Sequence, residues 1–302
     1  MKRSLASILF TVLALAVLTS PARAVTEADA VAGRALVQRY ADTVIGVEMV
    51  VTMKVKMGDR EMPPREQKID VNGTVVSANG LTVTSLAEVD PQIIIDALRA
   101  SRPGAPRIEL LGADFKEVKL RLADGTEVPA RFVLKDADLD LAFMRPEEPE
   151  GTAKREFAHV NLDEPAEGLV LNNYFFVSRA PKVLQRVPLV RQSEMVGLVE
   201  KPRRIFLMTD QALGSPMFDL KGHVLGITLQ HFANNRRTGF VVVPSEDIAD
   251  MAKQAANAKP LDSQGTSDAA TPAEAPTSKS AMPAEPPSSE PAKTADAPTK
   301  AP

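Results

Sequence analysis

Few side chains in this sequence are able to do covalent or metal chemistry. The 302 residues include no cysteine and three histidines, His159, His223 and His231. Without cysteine there is no thiolate metal site, no disulfide scaffold and no cysteine nucleophile. A metal centre needs several ligands at converging positions, and three scattered imidazoles do not supply them. No metal and no other cofactor is therefore expected. No glycine pattern of a phosphate-binding loop occurs either. With 36 Lys+Arg against 39 Asp+Glu, the net charge of −3 argues against a nucleic-acid binder held by phosphate contacts. What remains is chemistry by hydroxyl, imidazole and carboxylate, and such groups act only where a fold brings them within hydrogen-bond reach.

The elements that could do so lie between two dissimilar ends. Lys2 and Arg3 precede an apolar run from Leu5 to Leu18, and Ala22 and Ala24 follow with the spacing of a cleavage site. Residues 1–24 read as a secretory leader, too short for a bilayer span. At the other end, Leu261 to Pro302 holds eight Pro and ten Ala, with Leu261 and Met282 as its only sizeable apolar side chains. Such a stretch buries too little surface to offset its ordering entropy, so a disordered tail is expected over 259–302. A single domain is left over 25–258.

Within that domain, Thr26-Glu27-Ala28-Asp29 resembles a capping box and opens a helix. Val44 to Val55, Ile69 to Val76 and Leu81 to Ser85 read as strands, the last two around an Asn79-Gly80 turn. Val118, Leu120 and Leu122 alternate with charges, Asp124-Gly125 turns the chain, and Val128, Ala130, Phe132 and Leu134 alternate back. This is a hairpin with one buried face. Leu169 to Ser178, Ile205 to Thr209, Val224 to Leu229 and Gly239 to Val243 are further strands, and Pro244-Ser245 starts a helix reaching about Ala255. Many short strands without βαβ alternation imply an all-β sandwich or barrel.

Three segments carry more. Gly73 to Ala87 resembles the first signature of the HtrA/DegP-like trypsin-type serine proteases, without a gap. Val118 to Arg145 resembles the second, with Asp124-Gly125, Ala130, Asp136 and Asp140-Leu141-Ala142 in register. Thr209-Asp210, then Pro216 to Asp219 and Gly222 to Ile227, resemble the third. The resemblance implies two perpendicular six-stranded β-barrels with a cleft between them.

It does not bring the chemistry with it. Hydrolysis by this family needs a serine nucleophile, a histidine base, an aspartate to orient the histidine, and backbone N–H groups aimed at the oxyanion. The histidine position is Ala87 here, the aspartate is kept as Asp140, and the nucleophile position is Leu213. Gln211 replaces the glycine two residues before the nucleophile, and the loop between Asp210 and Leu213 is shortened. Ser215 is the fallback nucleophile, though it reads better as a small residue in the space of a family glycine. Asp140, without its imidazole, needs other donors, and Ser85 or Thr84 are the nearest in sequence register.

The stretch between Val89 and Val118 has no counterpart in a compact family member. Gln92 to Ala100 reads as a helix and Arg102 to Pro106 as a break. It is either a surface decoration or a cover that reshapes the cleft. The resemblance thus implies a pseudoprotease that binds peptide or protein ligands in the inter-barrel cleft, exported to a bacterial periplasm or exterior. The alternative is an active serine endopeptidase with an atypical centre. Neither nucleic acid nor, once the leader is removed, a membrane is an expected partner.

Overall fold

The computed structural model describes residues 25–102, 104, 106–147, 155–233 and 236–261. The predicted leader and nearly all of the predicted tail lie outside the described residues.

The fold is all-β, two closed six-stranded antiparallel barrels with a few short helices. The described residues open with α1 (Glu27–Tyr40), in which Thr26 Oγ1 accepts from Asp29 N at 3.1 Å and Asp29 Oδ2 accepts from Thr26 N at 3.4 Å. This is the predicted capping box with both arms closed. Losing one N-cap acceptor costs about 1 kcal/mol. Thr26→Ala is therefore expected to lower the melting temperature by about 2–4 °C, and a melt showing no shift would mean the box is idle.

The first barrel is built from β1 (Val44–Met57), β3 (Arg65–Val75), β4 (Thr82–Ser85), β7 (Leu141–Pro146), β6 (Glu127–Asp136) and β5 (Ile108–Arg121), and β1 pairs with β5 to close it. The two-residue β2 (Arg60–Glu61) attaches to β1. The second barrel closes in the order β10 (Ile205–Met208), β13 (Arg236–Pro244), β12 (Val224–Ala233), β11 (Pro216–Phe218), β8 (Asn173–Arg179) and β9 (Pro188–Val199). The expected Asp124-Gly125 hairpin is present, with Leu120 facing Val128. The final helix, α4, spans Ser245–Asn257.

Side-chain alternation decides what each strand buries. In β1, Val47, Met49 and Val51 enter the first barrel's core with Leu120, Phe132 and Met144. β8 is buried on both faces, so it reads as a continuous apolar run. Tyr174 and Phe176 join Met195, Met217 and Val242 inside the second barrel. Phe175 and Val177 face a junction core with Val83, Leu141, Phe143, Phe218 and Leu229.

One expectation needs correction. Leu169 to Leu171 are exposed and not strand, because the chain turns at Leu171, which has φ 70°. The stretch after Val89 holds the helix expected over Gln92 to Ala100. The short α2 (Leu86–Val89) leads into α3 (Pro91–Ser101), capped by Asp90 Oδ1, which accepts from Gln92 N at 2.9 Å. Ile95 of α3 is buried, and Ile93 and Ile94 pack on the first barrel's core. Residues 108–117 then run as strand against β1. The insertion is thus part of the first barrel's packing rather than a detachable flap.

The ends of the domain are exchanged between barrels. On α1, Tyr40 stacks on Phe218 of the second barrel with ring centres 4.3 Å apart, and donates to Gly222 O at 2.8 Å. After α4, Leu261 N donates to Phe132 O of the first barrel at 2.8 Å. Arg145 of that barrel donates to Ala255 O and Ala258 O at 3.1 and 2.6 Å. The domain's hydrogen bonding thus runs three residues past the predicted boundary at 258.

Candidate functional site

The site is assembled where β4, β7 and β12 meet. Ser85 ends β4, Ala87 lies in α2, Asp140 immediately precedes β7, and Gln230 belongs to β12. Asp140 has φ 59°, a left-handed conformation that aspartate tolerates better than most residues, and the turn aims its carboxylate inward. It is 2% exposed. Its Oδ1 accepts from Ala87 N at 2.7 Å, and its Oδ2 accepts from Ser85 Oγ at 2.5 Å and from Gln230 N at 2.7 Å. Burial raises the Asp140 pKa to about 6, against the pull of these three donors and of Arg237. Of the two donors expected from sequence, Ser85 does the work. Thr84 instead donates to Asn72 O at 2.7 Å.

Beside this acid lies a second one, which sequence reasoning missed. Glu88 follows Ala87 in α2, and its Oε2 is buried without a hydrogen-bond partner among the described residues. Burial, then repulsion from Asp140, raises its pKa to about 7, with Arg237 pulling the other way. The available signal was one acid set between Leu86, Ala87 and Val89, all of which are buried.

The third segment approaches from the second barrel. Gly214, with φ 66°, lies so close to β3 that a methyl group there would run into the Asn72 carbonyl. Thr74 Oγ1 donates to Gly214 O at 2.7 Å, and Gly214 N donates to Thr228 O at 2.9 Å. Gln211 N donates to Asp210 Oδ1 at 2.9 Å, so this N–H is already occupied.

A family model described as the trypsin-like peptidase domain matches residues 71–227, a span running from β3 into β12 and including Ala87, Asp140 and Leu213. The chain belongs to the trypsin-like peptidase family. No curated protein matches it. Among solved structures it is similar to the apo form of the MamO protease domain from Magnetospirillum magneticum. The two are 16% identical with a TM-score of 0.42, over 70% of this chain and 97% of that one.

Within this trypsin-like framework the predicted site residues are placed as follows. Ala87 and Asp140 are in direct contact through the backbone. Leu213 is half-buried in the loop that Gly214 docks on the first barrel. Ser215 is fully buried, and its Oγ donates to Leu213 O at 3.4 Å. None of the histidines is bonded to Asp140: the Nδ1 atoms of His159, His223 and His231 lie against Phe157 O, Asp219 Oδ2 and Thr238 Oγ1, at 3.0, 3.0 and 2.6 Å. Gln230 was not foreseen, because it contributes a backbone N–H that no side-chain pattern announces. Among the described residues, no group of three or more His, Cys, Asp or Glu is arranged to hold a metal ion.

Proposed function

We propose that this trypsin-like chain is a pseudoprotease: an exported, non-catalytic module that binds peptide or protein segments in the cleft between its barrels. The observation that carries the reading is the contact at Asp140. The carboxylate that would orient an imidazole is instead satisfied by the Ala87 N–H, the Ser85 hydroxyl and the Gln230 N–H. Alanine at the base position and leucine at the nucleophile position supply neither a proton acceptor nor an attacking oxygen there. Loss of either group removes most of such an enzyme's rate. The buried Ser215 offers no substitute, since a nucleophile needs a base within hydrogen-bond reach. Export rests on the leader-like residues 1–24.

A fluorophosphonate probe is expected to leave the protein unlabelled, and purified protein to leave casein intact. Labelling that disappears in Ser215→Ala would establish the endopeptidase reading instead. The binding role is checked by pull-down from the envelope of the exporting cell, where a partner above background is expected and its absence counts against the module.

A further inference from the structure

Away from the cleft site, and sharing no residue with it, a cavity of about 220 Å³ lies where the β5–β6 hairpin meets the β8–β9 loop. Its walls include Arg121 and Gly125 from the first barrel and Arg179, Lys182, Gln185 and Arg186 from the second. Four of these are cations, and no wall residue is an acid. The acids around the cavity pair with its three guanidinium groups and leave the ammonium group of Lys182 outside those pairs. Glu48 is shared, accepting from Arg121 at 2.6 and 3.2 Å and from Arg186 at 2.7 Å. Arg121 also pairs with Glu127, and Arg186 with Asp70. Arg179 donates to the carbonyls of Val44, Ala41 and Arg186 and pairs with Asp42 at 3.5 Å. Lys182 acts on Glu48 only through space, with no ion pair within 4 Å among the described residues, and Arg186 Nε is buried with no acceptor.

The loop that supplies half of this wall has a second property. Gln185 and Arg186 are consecutive non-glycine residues in the left-handed region, at φ 58° and 52°. Strained backbone of this kind persists only where the surroundings enforce it. Here Arg186 is folded back beneath the loop, close enough to Gly46 that a side chain there would meet its guanidinium. Outside, the same turn presents Val183, Leu184, Val187 and Leu189, which are 86%, 59%, 47% and 39% exposed. Single exposed aliphatics are ordinary, but four within seven residues make a patch.

Oxyanions of a phosphate match a ring of guanidinium and ammonium donors, and exposed aliphatics flanked by cations match the boundary between headgroups and acyl chains. We propose that the Lys182–Leu189 loop docks on an anionic phospholipid surface, with a lipid phosphate seated among Arg121, Arg179, Lys182 and Arg186, and with Val183 and Leu184 entering the interface. This site is separate from the peptide-binding reading of the cleft and stands or falls without it.

The absence of native cysteine makes the test clean. The full chain carrying Val183→Cys, labelled with an environment-sensitive NBD dye, is mixed with vesicles of phosphatidylcholine alone or with phosphatidylglycerol. A brighter, blue-shifted emission is expected with the anionic vesicles only. The same dye on Leu111→Cys, ten residues along β5 from Arg121 and roughly 30 Å away, should not respond, even if the apolar leader tethers the chain. Adding Lys182→Glu should weaken the Val183 response about tenfold, with no change in the melting temperature in the absence of lipid. An unchanged Val183 signal, or one indifferent to Lys182→Glu, overturns the proposal. So does a shift that grows with protein concentration without vesicles, which would make the loop a self-association surface. A melting temperature raised by inorganic phosphate, with no vesicle response, would assign the cavity to a soluble phosphate instead.

Discussion

Asp140→Ala is expected to lower the melting temperature by about 10 °C while changing no hydrolytic activity. Three buried donors, the Ser85 hydroxyl and the N–H groups of Ala87 and Gln230, lose their acceptor at once. Each orphaned donor costs about 1–3 kcal/mol, and alanine at φ 59° adds about 1 kcal/mol. Removing a desolvated charge returns part of this, since burial already holds the Asp140 pKa near 6. The net expectation is about 3–5 kcal/mol, converted at about 2–4 °C per kcal/mol. Asp140→Asn keeps one acceptor and the tolerance for left-handed backbone, so it should lose roughly half as much. Thermal unfolding at pH 7 decides the matter. A melting temperature within about 2 °C of the parent would show that the acid no longer ties the barrels together.

Glu88→Gln should act in the opposite direction, and only at higher pH. In the folded chain the Glu88 pKa is about 7, against about 4.5 when the carboxyl is free in water. The folded state therefore holds this proton more tightly. Its stabilising effect is complete below about pH 4.5 and is lost as pH rises through 7. At pH 8 the chain must bury a carboxylate whose Oε2 has no partner among the described residues and which is repelled by Asp140, with Arg237 as the compensating charge. Glutamine is neutral at every pH, so the variant should be about 2–3 kcal/mol more stable than the parent at pH 8 and equal to it at pH 4.5. Melting curves across that window test the sign. Parallel pH profiles for the two proteins would mean that Glu88 is solvated.

Glu48 is the counterweight at acid pH. Its hydrogen bond from Arg121, then that from Arg186, holds its pKa near 2, against the opposing effect of burial. The stability it lends is complete above about 4.5 and fades as the pH falls towards 2. Both carboxylates thus favour the folded state most near pH 4.5, one losing its contribution on each side.

What could be read from the sequence was local. The β5–β6 hairpin announces itself through strict alternation around Asp124-Gly125, and α1 through its capping box. β9 escaped notice because its first five residues are exposed or half-exposed, so apolar content and burial do not coincide there. β11 has only three residues, too few to show a period. At the site, Ala87 and Asp140 could be placed because each lies inside an ungapped block. Glu88 and Gln230 could not. Their roles depend on Arg237 from β13 and on β12 crossing beside β4, which are facts of long-range packing.

The exchange of terminal segments has a consequence for how the molecule holds together. Helix α1 finds its seat, at Phe218 and Gly222, some 180 residues further along the chain, and the segment from α4 to Leu261 fastens back on Arg145 and Phe132. Each half is latched by the other half's end. A nick in the connection between barrels would leave two fragments still buckled to one another.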